Sequence, residues 1–419
     1  MRLNTHHINT VILLFLLLIF SSCSTKKKSW VNRQYHNTTA KYNGYFNGKE
    51  SIKAGVRKLH SGNVDDYTAI LSVFPTGDLR EAKKTHSYMD KAIKKGSIVI
   101  QRHSMKIKGK EYCKWIDENY LLVGKAYFYK GDFDEAIKTF SFIKNEYKKN
   151  DICFEAALWL VRSYVEKKDF SSAELELEEL LKNKRFPDSL EKELSVVASN
   201  YYVQKEDFPT AIAELNNATK QIKRKRKKVR LNYILAQLYQ ESNNYSLAQK
   251  HYELVLKSNP EYEMAFNAKM NLARSLERGN SDTKKTKDKL FKMIKDDKNK
   301  EYLDQIYFTI AEMEINSRDT ASAIENYLLS AVNSVENNTQ KSLSFLALGK
   351  IEFKRGLYRS AKTYYDSTTF YMGTDFRLYE QVNKRRLILS GLVENINTVE
   401  LQDSLQILAN LPKAEQNDM

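Results

Sequence analysis

The sequence predicts an all-α protein, a right-handed α-solenoid of about seven helix pairs with an N-terminal helical region before it and capping helices after it. Three observations predict this. The 419 residues include only 14 Gly and 5 Pro, too few turn formers for a chain with many loops. Leu and Lys, which favour helix, are abundant instead. From Asn119 onward an aromatic and an alanine recur at a fixed interval, the mark of an array whose units bury their apolar faces against one another.

In chain order, Arg2 precedes VILLFLLLIF, Val11 to Phe20. That run is too short for the roughly 20 residues that span a bilayer, and it has the length of a signal-peptide core. Ser21 and Ser22 place two small residues before Cys23, as in a bacterial lipobox, with Phe20 where such boxes usually carry Leu. Residues 1–22 are therefore expected to be a lipoprotein signal peptide, Cys23 the lipidation site, and 23–34 a lipidated linker. Each buried methylene contributes about 0.8 kcal/mol, so several acyl chains hold a protein stably at a membrane. Lys26, Lys27 and Lys28 add attraction to anionic headgroups.

Residues 35–112 form the N-terminal region. Tyr35, Tyr42, Tyr45, Phe46, Ile52, Val56 and Leu59 share one helical face, which makes the aromatics of YHNTTAKYNGYFNG either the core of a helix pair or a docking surface. ILSVFP, closed by Pro75-Thr76-Gly77, reads as an extended connector. LREAKKTHSYMDKAIKKGSIVIQRHSM reads as one helix with Ala82, Met89, Ala92, Ile93, Val99 and Ile100 at helical spacing.

Residues 113–372 carry the repeats. First-helix tyrosines Tyr127, Tyr164, Tyr202 and Tyr239 and second-helix alanines Ala136, Ala173, Ala211 and Ala248 both step by 37 to 38 residues. This is a tetratricopeptide-like helix pair with a period longer than the usual 34 or so. The small alanine lets antiparallel helices approach, while the large residues fill the space between pairs. The step continues through Leu276, with a degenerate second helix near LFKMI and GNSDTKKTKDK as its loop, to Ala323 and Ala361. Residues 373–411 read as one or two amphipathic capping helices, and 412–419 as a disordered tail.

NRQYHNTTAKYNGYFNGKES, ILSVFPTGD, MDKAIKKGSIVIQRHSM and LVENINTVELQDSLQILA together resemble the SprE/PorW lipoproteins of the Bacteroidota type IX secretion and gliding machinery. Members of that family continue well beyond the last residue here. The resemblance implies an outer-membrane lipoprotein facing the periplasm, needed for substrate export, that joins periplasmic ring components to the outer-membrane translocon. The basic STKKK after Cys23 agrees with the periplasmic face. A tetratricopeptide lipoprotein of outer-membrane protein assembly and a SusD-like nutrient-uptake lipoprotein are the alternative classes, though neither would be expected to combine these segments with short, regular connections.

Chemistry has little support in the sequence. The histidines are scattered, and no HExxH, GxSxG or phosphate-cradling loop occurs, so no enzyme activity, cofactor, metal or small-molecule substrate is implied. The excess of 68 Lys and Arg over 52 Asp and Glu leaves a net charge of +16. Such a surface attracts acidic proteins, anionic lipid or nucleic acid, and export from the cytoplasm argues against nucleic acid. Its sharpest feature is Lys223, Arg224, Lys225, Arg226, Lys227 and Lys228, which reads as a solvated loop or a docking patch. In tetratricopeptide geometry Lys125, Tyr129, Arg162, Asn200, Tyr233 and Gln237 line the concave groove, a mixture suited to an extended peptide or partner helix. Cys113 and Cys153 are expected as buried free thiols, with a bridge between adjacent first helices left open as the alternative.

Overall fold

The computed structural model describes residues 24–75, 79–278, 283–374 and 376–411. The expected signal peptide, Cys23 and the expected tail 412–419 lie outside the described residues. The chain forms two compact units that divide between Ser242 and Asn243.

In the first unit, α1 (Trp30–Thr39) runs through a π-helical turn (Ala40–Tyr45) into α2 (Phe46–Gly62), so helix begins within the expected linker. α3 (Leu79–Lys83) and α4 (His86–His103) follow, then β1 (Lys106–Ile107), β2 (Lys110–Glu111) and α5 (Ile116–Lys130). The long opening helix does not bury its aromatic face. Tyr35, Tyr42 and Phe46 are 43%, 57% and 55% exposed, while Tyr45 packs partly inward on Trp115. The buried side is His36, Ala40, Gly44, Gly48, Ile52, Gly55 and Leu59. Space explains the choice: a Cβ at Gly44 would fall 1.8 Å from Val99 of α4, and one at Gly48 2.5 Å from Leu122 of α5. Glycine lets the helices touch there. The π turn also matters, because its wider winding keeps His36, Ala40, Gly44 and Gly48, spaced by four, on one side, where the α-helical 3.6 would let them drift.

The segment expected as one helix is broken between α3 and α4. Thr85 closes the short helix, its N–H and Oγ1 both donating to the Ala82 carbonyl at 2.9 and 2.8 Å. The small hairpin was not anticipated. It turns through Lys108 and Gly109, both at positive φ, as a two-residue type I′ loop requires. The Glu111 carboxylate fixes it by accepting from Ser104 Oγ, Met105 N and Cys113 N at 2.6, 2.7 and 2.8 Å. Cys113 and Cys153 are both free and buried.

The repeats continue in the first unit as α6 (Phe133–Glu146), α7 (Ile152–Glu166), α8 (Phe170–Lys182), α9 (Glu191–Gln204), α10 (Phe208–Gln221) and α11 (Lys225–Glu241). The second unit contains α12 (Tyr245–Lys257), α13 (Tyr262–Arg278), α14 (Thr283–Ile294), α15 (Leu303–Asn316), α16 (Thr320–Asn333), α17 (Asn338–Lys354), α18 (Tyr358–Tyr371) and α19 (Tyr379–Ala409). Thr283–Lys289, expected as loop, are helical. The basic run is likewise no loop from Lys225 onward: it forms the first turns of α11, because the chain just beyond it is anchored by Val229 and Leu231 in the core.

Ala136, Ala173, Ala211, Ala248, Ala323 and Ala361 all have zero exposure. They mark the contacts at which the helices pack. The large side chains fill the remaining space, and Tyr164 touches two successive core clusters. Six of the pairs turn by the same device. A residue at positive φ ends the first helix, at Gly131, Lys168, Glu206, Asn243, Arg318 and Gly356. In four of these turns the next side chain but none further away caps the second helix: Asp169, Asp207, Asn244 and Asp319 accept from the N–H three residues on, at 3.1 to 3.3 Å.

At the N-terminal module His36 Nδ1 and His103 Nδ1 lie 2.8 Å apart, so they bond through one proton and disfavour two. Tyr35 packs on both rings, Arg102 adjoins His103, and the Cys113 thiol reaches the His36 carbonyl. Burial first, then His36 and Arg102, pull the His103 pKa below its usual value. A lowered folded-state pKa means that the unfolded chain binds more protons in acid, so this stability is present above about pH 6.5 and is lost as pH falls below it.

Two measurements test these packing and protonation arguments. Ala211→Leu should destabilise the first unit by about 1–3 kcal/mol through overpacking, read from urea unfolding followed by circular dichroism. Thermal midpoints should fall from pH 7.5 to pH 5, and His103→Phe should flatten part of that slope; an unchanged slope would remove the histidine pair as its source.

Candidate functional site

The groove residues named from sequence are brought together on the first helices of successive pairs, and most are covered. Arg162 on α7, Asn200 on α9 and Tyr233 and Gln237 on α11 are all buried. What covers the α7 and α11 positions is the chain's own connector, residues 63–75, the segment that includes ILSVFP. It has no regular secondary structure.

Its hold is chemically specific. The Gln237 amide clamps main chain, Oε1 accepting from Leu71 N–H at 3.0 Å and Nε2 donating to the Ala69 carbonyl at 2.7 Å. Arg230 forms a two-pronged pair with Asp65, Nη1 to Oδ2 at 2.6 Å and Nη2 to Oδ1 at 2.9 Å, and its Nε donates to the Ser72 carbonyl at 2.8 Å. Such forks are among the stronger charge-assisted contacts. Tyr67 meets Tyr233 edge to face at 5.4 Å, and Leu71 and Val73 are buried.

At the far end Phe74 stacks against the Arg162 guanidinium, 4.0 Å from the ring centre, with Trp159 at the same distance. Among the described residues the cation has no carboxylate partner at hydrogen-bond distance, and burial pulls its pKa down while Tyr129 and Glu166 oppose the shift. Aromatic faces take the place of water, and a desolvated cation–π contact contributes about 2 kcal/mol or more. Lys227 also reaches the Phe74 ring at 5.9 Å, and desolvation lowers its pKa. Much of the connector, with Gly62, Glu81 and Arg230, still borders a cleft of about 560 Å³.

Lys125 and Tyr129 adjoin the Arg162 end of the groove through Trp159, and the remaining sequence candidates sit apart. Lys125 pairs with Glu155 at 2.6 Å and lies over Trp159, against which Tyr129 also packs. Tyr42 and Phe46 look outward, with Trp30 and Val31 exposed on the same opening helix and Lys41 over the Tyr42 ring. Tyr45 is held against Trp115, and burial followed by Glu118 pushes its pKa up to about 12. Of the basic run, Lys223, Arg224, Lys225, Arg226 and Lys228 are exposed and Lys227 is half-buried. Sequence reading missed Asp65, Phe74 and Arg230. A lone aspartate and a Phe-Pro pair in a connector carry no local signal of a partner far along the chain, and Arg230 was hidden as the end of a charge run.

Tetratricopeptide-repeat family models match residues 121–189 and 229–262. No curated protein is similar to the chain in sequence. Among solved structures, the C-terminal part of a tetratricopeptide repeat-containing protein from Cytophaga hutchinsonii is 18% identical, with 63% of this chain and 98% of that one covered and a TM-score of 0.43. A tetratricopeptide repeat protein from Parabacteroides merdae is 15% identical over 65% of this chain and 98% of that one, with a TM-score of 0.46. The apo form of RapI is 14% identical over 72% and 95%, with a TM-score of 0.45.

The filled groove predicts that Phe74→Ala, at a partly buried ring, costs about 1–3 kcal/mol and exposes the connector. Limited proteolysis should then cut within residues 63–75, and intact protection of that segment in the variant would show that the aromatic stack is not what holds it.

Proposed function

We propose that this protein is a non-enzymatic adaptor of type IX secretion and gliding motility, held through Cys23 at the periplasmic face of the outer membrane, where it links periplasmic ring components to the outer-membrane translocon. Tetratricopeptide repeats make it a protein-interaction scaffold at the coarser level. The finer reading rests on one observation. Two segments that carry the family resemblance, residues 32–51 and 89–105, pack on each other as a helix pair, and a third, residues 70–75, lies on α7 and α11 of the array, a combination that is not generic to such repeats.

NRQYHNTTAKYNGYFNGKES supplies α1, the π turn and the start of α2. MDKAIKKGSIVIQRHSM supplies α4, against which Gly44 and Gly55 pack. ILSVFP supplies the filling of the groove. The special chemistry of these segments is thus accounted for by contacts they make with one another or with the array.

Because the connector occupies the groove at α7 and α11, the reading assigns partner contacts to outward surfaces. Trp30, Val31, Tyr42 and Phe46 offer exposed apolar area close to the expected anchor, with Lys26, Lys27 and Lys28 exposed beside them. Aromatic and basic residues in that combination suit either a protein partner or the headgroup zone of the membrane that tethers it. An adaptor that must hold two assemblies benefits from a groove with no occupant to exchange.

Affinity purification of the full chain from detergent-solubilised envelopes should recover ring and translocon components of the secretion system. Recovery of barrel-assembly components alone would replace this reading with that of an outer-membrane protein assembly lipoprotein.

A further inference from the structure

The opening helix buries small and polar residues and turns its rings outward. His36, Ala40 and Gly44 face the unit. Val31, Tyr35, Thr38 and Tyr42 are spaced four, three and four, which draws one straight stripe along the opposite side. Phe46 follows four residues on, kept in line by the wider winding of the π turn. Trp30 and Val31, at the start of the stripe, are 67% and 54% exposed. From Trp30 to Phe46 the ridge runs roughly 24 Å at 1.5 Å per residue.

Charge follows the same stretch. Residues 24–49 hold six bases, Lys26, Lys27, Lys28, Arg33, Lys41 and Lys49, and no acid. All but Lys41 are exposed, and Lys41 lays its ammonium over the rings of Tyr42 and Trp115 at 5.0 and 5.2 Å. Exposed Lys114, just before α5, adjoins α1 by donating its N–H to Asn37 Oδ1 at 2.7 Å. The neighbouring acids are engaged elsewhere. Glu50 pairs with Lys53 at 3.4 Å, Asp117 faces Glu111 and Tyr147, and Glu118 and Glu155 face Tyr45, the ring that packs inward on Trp115.

This combination separates two kinds of partner. Protein interfaces favour aromatics and arginine but are depleted in lysine, and five of these six bases are lysine. Rings alternating with lysines on one helix suit the headgroup layer of a bilayer, where Trp and Tyr sit at the polar boundary and bases meet lipid phosphate. Each base near such a surface strengthens attraction about fivefold.

We propose that the outward ridge of α1 and the π turn lies on the headgroup layer of an anionic phospholipid bilayer, with Trp30, Tyr42 and Phe46 at the polar boundary and the lysines among the phosphates. Which membrane it meets rests on the anchorage at Cys23 proposed above; the contact itself needs only anionic lipid. A tether alone leaves the body free to swivel, and this second contact fixes how the first unit is presented.

The test uses the full chain reconstituted through its own anchor in vesicles of phosphatidylcholine with or without phosphatidylglycerol, the acyl chains brominated near the headgroup. Trp30 emission should be quenched in the phosphatidylglycerol vesicles and much less in phosphatidylcholine alone, and about 1 M salt, which shortens screening to about 3 Å, should weaken the effect. Trp30→Phe should remove the quenched component, because Trp115 and Trp159 are packed within the unit. Lys27→Glu with Lys28→Glu, and separately Tyr42→Ser with Phe46→Ser, should each lose most of the quenching with the helical signal unchanged, since all four side chains are exposed. Mass spectrometry reads the acyl groups on Cys23 separately, and a chain without them is added to the same vesicles from solution, so that a failed anchor and a failed helix contact give different results. Trp30 unquenched in anionic vesicles, quenching that is equal in neutral vesicles and indifferent to the charge reversal, or a cross-linker at Asn47→Cys that captures a protein in envelopes while Trp30 stays unquenched would each overturn the proposal.

Discussion

Everything in the array depends on how closely two helices can approach at one small side chain. At Ala136, Ala173, Ala211, Ala248, Ala323 and Ala361 nothing of the methyl is left exposed, so the space there is already filled by the facing elements. Interaxial separations are set by the side chains at the crossing point, and a larger residue would move the axes apart and open gaps at the aromatics on either side. The repeated turn makes the close approach reproducible. A left-handed residue reverses the chain in a fixed number of steps, and the following Asp or Asn ties down the first turn of the next helix. Three of those left-handed positions are Lys168, Glu206 and Arg318, which tolerate that conformation less well than glycine; the packing on both sides holds them there.

The same constraint builds the N-terminal module with different residues, and this separates what was legible from what was not. Alanine and tyrosine in the repeats announce themselves because the identical short pattern recurs at a constant step, so residue type and spacing reinforce each other. In the opening helix the close-approach residues are glycines, which sequence reading associates with turns, and the conspicuous aromatics drew attention to the wrong side. The periodicity argument also assumed 3.6 residues per turn throughout, whereas Ala40–Tyr45 winds more widely and changes the phase between α1 and α2. A π turn leaves no mark in composition. The break at Thr85 was hidden for a similar reason, since the apolar spacing on either side of it continues as though the helix did.

Of the residues assigned to the groove, Arg162, Tyr233 and Gln237 lie under the connector, an occupant that was not foreseen. Asp65 and Arg230 are 165 residues apart, and Leu71 and Gln237 166, so no local pattern connects them. Gln237 reads only the main chain of the connector, which any sequence could present. The segment is irregular and offers its backbone to a side-chain amide, one carboxylate to a guanidinium and one ring to a buried cation. Filling the groove in this way removes the usual tension in such folds between a stable array and an empty apolar channel, since Arg162 would otherwise have to be buried beside water-accessible aromatic surface.

The connector also bears on why α11 is helical where its charge opposes it. Lys225, Arg226, Lys227 and Lys228 open the helix with no acid in the first turn and no side-chain cap, where the positive end of the macrodipole makes each cation unfavourable by a few tenths of a kcal/mol to about 1 kcal/mol. Burial of the apolar and ring-bearing stretch from Leu231 to Leu238 outweighs that opposition, and Asp65 places one negative charge against Arg230 directly below it. A single carboxylate does not neutralise the run, so Lys223 to Arg226 and Lys228 remain exposed and positive at the edge of a groove that is itself occupied. Exposed charge of that kind is felt over about 8–10 Å at ordinary salt and governs the speed and orientation of encounter more than its strength. The division follows from burial: the inward cations Arg162 and Arg230 secure the chain to itself, and the outward ones stay solvated.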